Sequence, residues 1–355
     1  MLWRRKEADT ASLASKASGS RENTLSKCDT ESSEELVKRE TPFDEPINPV
    51  KRAEFKLTSE QQKMYDDIVA YFEEYVTKEF PIKEGSTVTH PFTDEELAWL
   101  TQECFLRYLR ASKWVYDTAV GRIKDTLLWR RTYGVSKLAK HPHKEAITAD
   151  LVAPENETGK EYILGYDVDN RPCLYLRNGY QNTQPSQRQV QHLVFMLETV
   201  IQFMPPGQDT LALLIDFKAA PAHMNCNAKF PPINITRDCM HILQYHYPER
   251  LGKGLFTNVP WIGHAFFKLA SPFIDPYTRS KTIFDGNFGD WVPREQLDKE
   301  FKGMLNFEYK HDVYWPKMVE MAEAKQKVYM ENFERLGKKI GLSEYDLRSK
   351  QDESA

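Results

Sequence analysis

The feature that most restricts the fold is a change of hydrophobic period near residue 149. Before it, apolar residues recur at helical spacing, whereas beyond it short apolar runs alternate with amphipathic segments. The run "TLALLIDF" at 210–217 is almost wholly apolar, which is typical of a strand covered on both faces. The runs "EYILGYDV" and "PCLYLR" flank Asp169 and Asn170, which favour a turn between two strands. Strands that alternate with helices predict an α/β layer with a mostly parallel sheet.

The region before the change of period predicts a helical subdomain. "SEQQKMYDDIVAYFEEYV" begins with a cap-like Ser59, and "TDEELAWL" begins with a capping-box pattern at Thr93. The first 52 residues are rich in Ser, Thr, Glu and Lys and nearly free of aromatics, which predicts a disordered arm. We therefore expect an arm over 1–52, a helical subdomain over 53–145, an α/β domain over 146–320, and a C-terminal helix and tail over 321–355.

Several motifs of catalysis and nucleotide binding are missing from the sequence. It contains no GxSxG, no GxGxxG after a strand and no GxxxxGK[ST] loop. The five cysteines lack metal-ligand spacing, so we expect reduced thiols, no metal and no cofactor. The net charge of -4, from 48 basic and 52 acidic residues, gives no general attraction for nucleic acid. Together these absences favour a binding function over an enzyme.

One stretch, "NVPWIGHAFFKLASPFIDPYTRSKT" at 258–282, combines an apolar helix with a cationic end. The pattern predicts a helix over 261–271, directly after Pro260, with a narrow polar stripe. This helix is too short to span a bilayer. Two interpretations remain open: a buried core helix, or a helix that contacts an apolar ligand on one side and a membrane or the core on another.

The segment "DPYTRSK", at the cationic end, offers groups suited to a phosphate. Lys281 can give a charge-assisted hydrogen bond and Thr278 a neutral one. Upstream, Glu249 in "YPERLGK" precedes another predicted strand. A carboxylate beside a phosphate site suits a polyhydroxylated head group, whose hydroxyls donate to it. The alternative is a structural ion pair between Glu249 and Lys281.

At these residues the chain resembles a known family, the CRAL-TRIO proteins. The motifs that carry the resemblance, in order, are "FLRYLRASKW", "WRRTYGV", "DVDNRPCLY", "LLIDFKA", "HYPERLGKGLFTNVP" and "PFIDPYTRSK". They cover about residues 58–320. The segments "PWIGHAFFKLASPFIDPYTR", "HDVYWP" and "GLSEYDLR" are similar to the pleiotropic-drug-resistance branch of the fungal phosphatidylinositol transfer proteins. The resemblance implies a CRAL-TRIO fold, in which an N-terminal helical tripod packs on a bowl that holds one lipid under a gating helix.

The resemblance also implies a site for phosphatidylinositol. Carried over by position, this site comprises Lys113, Glu249, Asp275, Thr278 and Lys281. Lys281 and Thr278 would hold the phosphate with Lys113 nearby, and Glu249 would support Lys281. The gate helix would present Trp261, Ile262, Phe266, Phe267 and Leu269. The chain has Ser112 where exchangers of phosphatidylinositol and phosphatidylcholine typically carry an arginine, so we expect somewhat weaker affinity for the phosphoinositol group.

A second departure concerns the inside of the implied pocket. The exchangers bind choline there with a Ser/Thr pair and tyrosines. This chain has aliphatic residues at those positions: Ile163, Leu174, Leu197, Leu211 and Leu213. Aliphatic side chains offer neither aromatic faces for a quaternary ammonium nor polar support for its phosphate. We therefore expect little or no phosphatidylcholine binding and a more apolar second ligand, with a sterol as the leading candidate.

The resemblance, together with the missing catalytic motifs, implies a protein that exchanges phosphatidylinositol between membranes without catalysis. One alternative is a lipid sensor or scaffold that presents phosphatidylinositol to a lipid kinase. Another is a lipid-modifying enzyme, for which no paired nucleophile and base is visible. The expected partners are lipid ligands and a transient membrane surface, with a lipid kinase as a further candidate. The sequence shows no secretory signal and no apolar span, so we expect a cytoplasmic protein that touches the endoplasmic reticulum, lipid droplets or the cell periphery.

Overall fold

The computed structural model describes residues 36–52, 54–136, 146–224, 226, 232–270 and 276–350. The predictions for 1–35 and 137–145 lie outside the described residues. The helices are α1 (Ser59–Val76), α2 (Asp94–Trp99), α3 (Gln102–Ala111), α4 (Tyr116–Tyr133), α5 (Ala149–Val152), α6 (Gln187–Gln202), α7 (Ile233–His241), α8 (Trp261–Ala270), α9 (Pro276–Ser280), α10 (His311–Arg335) and α11 (Glu344–Arg348). The strands are β1 (Val37–Arg39), β2 (Phe80–Pro81), β3 (Thr89–His90), β4 (Glu161–Tyr166), β5 (Pro172–Gly179), β6 (Leu211–Ala219), β7 (Leu251–Thr257), β8 (Thr282–Phe284) and β9 (Leu305–Phe307).

The predicted α/β layer is a five-stranded sheet in the order β4-β5-β6-β7-β8. β4 pairs antiparallel with β5, and the remaining neighbours pair in parallel. The turn between β4 and β5 contains Asn170 with φ 65°, a left-handed conformation that asparagine adopts more readily than most residues. The predicted turn and the mostly parallel sheet are both confirmed.

The crossover helices lie together on one face of this sheet. α6 joins β5 to β6, α7 joins β6 to β7, and α8 with α9 joins β7 to β8. Each connection moves one strand along in the same direction, and such crossovers are right-handed, so all these helices cover the same face. The opposite face packs against aromatic rings, where Phe307 stacks on Tyr162 and Phe301 meets Tyr175 edge-on. The sheet therefore has a ring-packed face and a face under the crossover helices.

Helices α1 to α4 form the predicted helical subdomain. Thr58, rather than the expected Ser59, caps α1 through a capping box with the third helical residue. Thr93 caps α2 in the same way with Glu96, as the sequence predicted. Glu96 also forms a buried ion pair with Arg131 of α4, in which the Oε1 to Nε distance is 2.6 Å. This pair fixes α2 against α4.

Residues 36–52 belong to the folded body, so the prediction of a disordered arm reaching residue 52 is wrong for this part. β1 pairs in parallel with β9, starting with Val37 opposite Leu305. The Arg39 guanidinium lies 4.0 Å from the centre of the Phe43 ring, and Phe43 packs against the main core. Composition alone misses this contact because the partner strand lies near the other end of the chain.

The C-terminal helix α10 closes the open edge of the sheet. It spans His311–Arg335 and so begins before residue 321, where the C-terminal helix and tail were expected to start. The Tyr314 hydroxyl accepts a hydrogen bond from the Ile163 N–H at 2.6 Å and donates one to the Ile163 carbonyl oxygen at 2.8 Å. These bonds satisfy backbone groups of the edge strand β4. Within the described part of the chain, no helix has the length and apolarity needed to cross a membrane.

Candidate functional site

Two of the predicted head-group residues lie close together where adjacent strands begin. Glu249 comes shortly before β7 and Lys281 directly before β8, and these strands pair in parallel. The Lys281 Nζ donates a hydrogen bond to the carbonyl oxygen of Leu251 at 2.6 Å. Glu249 sits in the turn that enters β7, with φ 58°. The start of these two strands therefore brings a carboxylate and an ammonium group to one corner of the sheet.

Glu249 is paired with an arginine that the sequence patterns did not single out. The Arg110 Nε lies 2.5 Å from the Glu249 Oε2. The carboxylate is therefore held by the helical subdomain. The position of Arg110 along the chain is the sequence signal that could have indicated it. Arg110 lies in the last turn of α3, close along the chain to Lys113.

The structure describes the other predicted head-group residues to different extents. Lys113 is exposed just beyond α3 with φ 53°, and its backbone N–H donates to the Arg110 carbonyl oxygen at 2.9 Å. Thr278 lies in α9, but its side chain is not among those described, and Asp275 lies outside the described residues. We refer to Arg110, Lys113, Glu249 and Lys281 as the head-group corner.

The head-group corner combines three cations with one carboxylate. Cations bind phosphate through charge-assisted hydrogen bonds, and a carboxylate accepts hydrogen bonds from hydroxyl groups. Ser112 is buried, and its Oγ has no hydrogen-bond partner among the residues that the structure describes. Arg110, two residues earlier, supplies a partly exposed guanidinium beside the position where exchangers carry an arginine.

Four of the five predicted pocket residues lie on one face of the sheet. The register places Ile163 opposite Leu174 and Leu174 opposite Leu213, and residues paired in this way point to the same side. Leu211 precedes Leu213 by two residues and so points to that side as well. The fifth, Leu197, is buried on α6, one of the helices over the crossover face. The register therefore brings the predicted pocket residues together.

Solvent exposure distinguishes the two faces of β6. Leu213 and Ile215 are only half buried, whereas their neighbours Ala212 and Leu214, which point to the opposite face, are fully buried. A strand covered evenly on both faces would not show this alternation. At Leu213 and Ile215 the face under the crossover helices therefore leaves apolar surface incompletely covered by protein, whereas the other predicted pocket residues are buried. We refer to this side of the sheet as the open apolar face.

The tyrosines of β4 and β5 point away from this open face. Tyr162 and Tyr175 stack on each other with ring centres 4.6 Å apart, and the Tyr162 hydroxyl donates to the Asp298 Oδ2 at 2.9 Å. Both rings are fully buried on the ring-packed face. They are therefore unavailable to a ligand on the other side of the sheet.

Helix α8, the predicted gate helix, spans Trp261–Ala270, and the last residue of the predicted range, Ser271, lies outside the described residues. The Trp261 side chain is 82% exposed, and His264 and Lys268 are exposed as well. A helix buried on all sides would not expose these residues. The other predicted gate residues lie on this helix, but their side chains are not among those described: Ile262, Phe266, Phe267 and Leu269.

A buried ion network lies behind the head-group corner. The Arg107 Nη2 lies 2.9 Å from the Glu344 Oε1 of α11, while Arg250 and Arg348 each lie 3.5 Å from the same carboxylate. Burial opposes ionisation, but these three arginines outweigh it and hold the pKa of Glu344 well below its usual range. Asp209 connects the network to the head-group corner, since it contacts Arg107 at 3.3 Å and Arg110 at 3.9 Å.

Two histidines that precede β7, His241 and His246, are held by packing. His246 stacks on Trp129 with ring centres 4.3 Å apart, and its Nδ1 lies 2.9 Å from the Thr126 hydroxyl. Burial lowers the pKa of His246 to about 3. His241 stacks on Tyr245. The described residues contain no group of three or more His, Cys, Asp or Glu side chains arranged to hold a metal ion.

Comparison with known proteins places this arrangement in a family. Residues 156–303 match the CRAL/TRIO domain, and residues 64–125 match the CRAL/TRIO N-terminal domain. The crystal structure of Sfh5 matches with a TM-score of 0.44 and 20% identity, over 67% of this chain and 85% of Sfh5. That similarity is too weak to carry an argument about this chain.

Two fungal proteins share 45% of their aligned residues with this chain. One is the CRAL-TRIO domain-containing protein C23B6.04c of Schizosaccharomyces pombe, over 303 residues, which are 85% of this chain and 28% of that protein. The other is the phosphatidylinositol transfer protein PDR17 of Saccharomyces cerevisiae, over 263 residues, which are 74% of this chain and 75% of that protein. The match thus spans about a quarter of the first relative and three quarters of the second. With both domains matched and this identity to PDR17, the chain belongs to the CRAL-TRIO family.

Proposed function

We propose that this protein carries phosphatidylinositol between membranes, as the name of PDR17 states for that relative. The observation that carries the proposal is the position of the head-group corner beside the open apolar face. Leu211 of that face is the register partner of Leu251, whose carbonyl oxygen accepts the hydrogen bond from Lys281. A lipid with its phosphoinositol group at the corner can thus lay its acyl chains along the apolar face.

A carrier of this kind is needed because lipids leave membranes slowly. Exposing acyl chains to water costs about 0.8 kcal/mol per CH₂, so a two-chain lipid meets a barrier of roughly 20 kcal/mol or more. A protein pocket that covers the chains removes most of this barrier. No bond is made or broken, so the function is transport and not catalysis.

The second ligand in this proposal is a sterol-like lipid and not phosphatidylcholine. The open face presents Ile163, Leu174 and Leu213 in one row, and the nearest tyrosines are turned to the other side of the sheet. These three side chains offer a choline group neither aromatic rings nor hydroxyls. An apolar body fits such a surface because its burial is favourable without polar partners.

Exchange requires contact with a membrane, and α8 is our candidate for that contact. An exposed tryptophan on the same helix as an exposed lysine suits a bilayer interface. One short helix gives weak and reversible binding, which suits a carrier that must leave again. We accordingly propose a cytoplasmic protein with transient contacts at the endoplasmic reticulum, lipid droplets or the cell periphery.

A vesicle assay tests this function. Donor vesicles carry labelled phosphatidylinositol or labelled phosphatidylcholine, and the label reaching acceptor vesicles is measured. We expect the wild type to move phosphatidylinositol and little phosphatidylcholine. In Glu249→Ala/Lys281→Ala, phosphatidylinositol transfer should fall about tenfold or more, since hydrogen bonds to charged groups contribute about 1.5–3 kcal/mol each. Comparable transfer of both phospholipids by the wild type would contradict the proposal.

The matched control removes another lysine–carboxylate pair. Lys218 and Glu300 form an exposed ion pair of 2.7 Å near the far end of β6. Lys218→Ala/Glu300→Ala should transfer phosphatidylinositol at the wild-type rate. If wild-type protein binds phosphatidylinositol but does not release it to acceptors, the sensor or scaffold that presents this lipid to a kinase becomes the better description.

A further inference from the structure

Two buried polar atoms near the open apolar face lack partners. They are the Glu161 Oε2 and the His192 Nε2, which form no hydrogen bond with any residue that the structure describes. The other atoms of the two groups approach each other, with 3.6 Å between the His192 Nδ1 and the Glu161 Oε1. Unpaired polar atoms are rare in protein interiors and call for a water or ligand partner.

Glu161 points to the same side of the sheet as the pocket residues. It begins β4 two positions before Ile163, so both side chains leave the strand on the same face. Its register partner on β5 is Leu176, followed across the sheet by Ile215 and Phe256. His192 belongs to α6, which covers that face. The pair therefore lies on the crossover side of the sheet.

The row of register partners that runs from Glu161 to Phe256 begins with a polar side chain and continues with apolar ones. Leu176 and Ile215 are half buried, so this row is not fully covered by protein. Strands are spaced about 4.8 Å apart, so the three steps from β4 to β7 span roughly 14 Å. A rigid apolar molecule with one polar group at its end matches a row of this kind.

The charges around the pair favour a neutral polar group. Burial raises the pKa of Glu161 to about 7, and burial together with Lys160 lowers the pKa of His192 well below its usual range. Lys160 is itself engaged by Glu155 at 2.8 Å. Near neutral pH the imidazole is uncharged and the carboxyl can hold its proton, so the pair can both donate and accept. A phosphate would find no available cation among these groups.

We propose that Glu161 and His192 form a subsite that recognises the single hydroxyl of an otherwise apolar lipid, of which a sterol is the favoured class. This inference rests on the proposed lipid-carrier function and identifies the polar contact of the second ligand. The hydroxyl donates to one unpaired atom and accepts from the other. The ligand body then lies over Leu176 and Ile215.

The experiment compares a hydroxylated ligand with the same ring system without its hydroxyl. Binding of the fluorescent sterol dehydroergosterol and of the matching deoxy hydrocarbon is measured for the wild-type chain, Glu161→Leu, Glu161→Gln and His192→Leu. We expect the two leucine variants to bind dehydroergosterol about tenfold more weakly, because each loses a hydrogen bond to the ligand. Glu161→Gln, which keeps polar atoms in place, should lose much less affinity for dehydroergosterol. The deoxy ligand should bind the leucine variants at least as well as the wild type.

The remaining outcomes overturn the inference in distinguishable ways. If both ligands lose affinity equally in the leucine variants, the substitutions disturb the pocket and the hydroxyl is not recognised. If the wild type binds both ligands equally and the variants bind like it, the pair holds only a buried water. Diacylglycerol is the other lipid class with one free hydroxyl. If the wild type binds neither dehydroergosterol nor diacylglycerol, the proposed subsite is wrong. The vesicle assay of phosphatidylinositol transfer tests the proposed carrier function by itself, so failure of that function is distinguishable from failure of the subsite.

Discussion

Two neighbouring groups of charged side chains, the buried network and the head-group corner, pair arginines with carboxylates but differ in their exposure to solvent. In the buried network, Arg107 is 3% exposed and Glu344 5%, whereas in the head-group corner Arg110 is 33% exposed and Glu249 19%. The carboxylate of Glu344 is enclosed by three arginines and shielded from solvent. The corner has the same ratio of three cations to one carboxylate, but its Arg110–Glu249 pair is partly open to solvent. Exposure, more than residue type or charge ratio, distinguishes the two groups and makes the corner the candidate for ligand binding.

The two groups lie close together, and we assign a structural role to the network and a binding role to the corner. Asp209 contacts an arginine of each group. Arg250 of the network directly follows Glu249 of the corner in the chain. The buried network therefore holds the helical subdomain, the start of β7 and α11 in fixed positions, and the corner uses that rigidity to present its charges. Substitutions in the two groups should accordingly affect different quantities.

The largest effect is expected for Glu344→Ala. It leaves three buried guanidinium groups without their common partner, and removing one member of a buried ion pair costs about 3–5 kcal/mol. The free energy of unfolding from urea denaturation measures this loss. The control is Glu300→Ala, whose exposed ion pair with Lys218 should contribute less than about 1 kcal/mol. Equal losses in the two variants would show that the network has no special role.

A smaller loss of stability is expected at acid pH. The pKa of Glu344 is lowered in the folded protein, so its contribution to stability is complete above its ordinary pKa of about 4.5 and is lost as pH falls below that value. Glu103, whose pKa burial and Glu344 raise, acts in the opposite direction and offsets part of the loss. We expect the unfolding free energy to fall below pH 4.5 less steeply in Glu344→Gln than in the wild type. Parallel pH profiles would contradict this assignment.

Next in size is Arg110→Ala, which tests the corner without touching a residue that the sequence predicted. It removes one cation and frees Glu249, so phosphatidylinositol binding should weaken about threefold to tenfold. Stability should change by only about 1 kcal/mol, because the pair is partly exposed. Vesicle transfer and urea denaturation of the same sample separate the two effects. A stability loss like that of Glu344→Ala, with unchanged lipid transfer, would move Arg110 to the buried network.

The smallest effect is expected at Ser112. Its buried Oγ lacks a hydrogen-bond partner among the described residues, so Ser112→Ala removes a polar atom that gains nothing from burial. Thermal unfolding should show a stability equal to the wild type or higher by about 1 kcal/mol. A clear loss of stability would mean that the hydroxyl has a partner after all.

The sequence predicted what depends on local pattern. The turn at Asp169 and Asn170, the buried strand β6 and the capping box at Thr93 follow from residue types within a few positions. It did not predict the pairing of β1 with β9 or the partner of Glu249. Arg110 and Glu249 are distant in the chain and meet only because α3 packs against the start of β7. Such contacts depend on tertiary packing, which a single sequence does not reveal.

The measurement that tests the central claim most directly is native mass spectrometry of the purified protein with analysis of its bound lipids. The wild type and Lys218→Ala/Glu300→Ala should carry phosphatidylinositol, and Glu249→Ala/Lys281→Ala should lose it while keeping any sterol. If the wild type carries no phosphatidylinositol, or if the corner variant carries as much as the control, the head-group corner is a structural feature and the account of this protein as a phosphatidylinositol carrier is wrong.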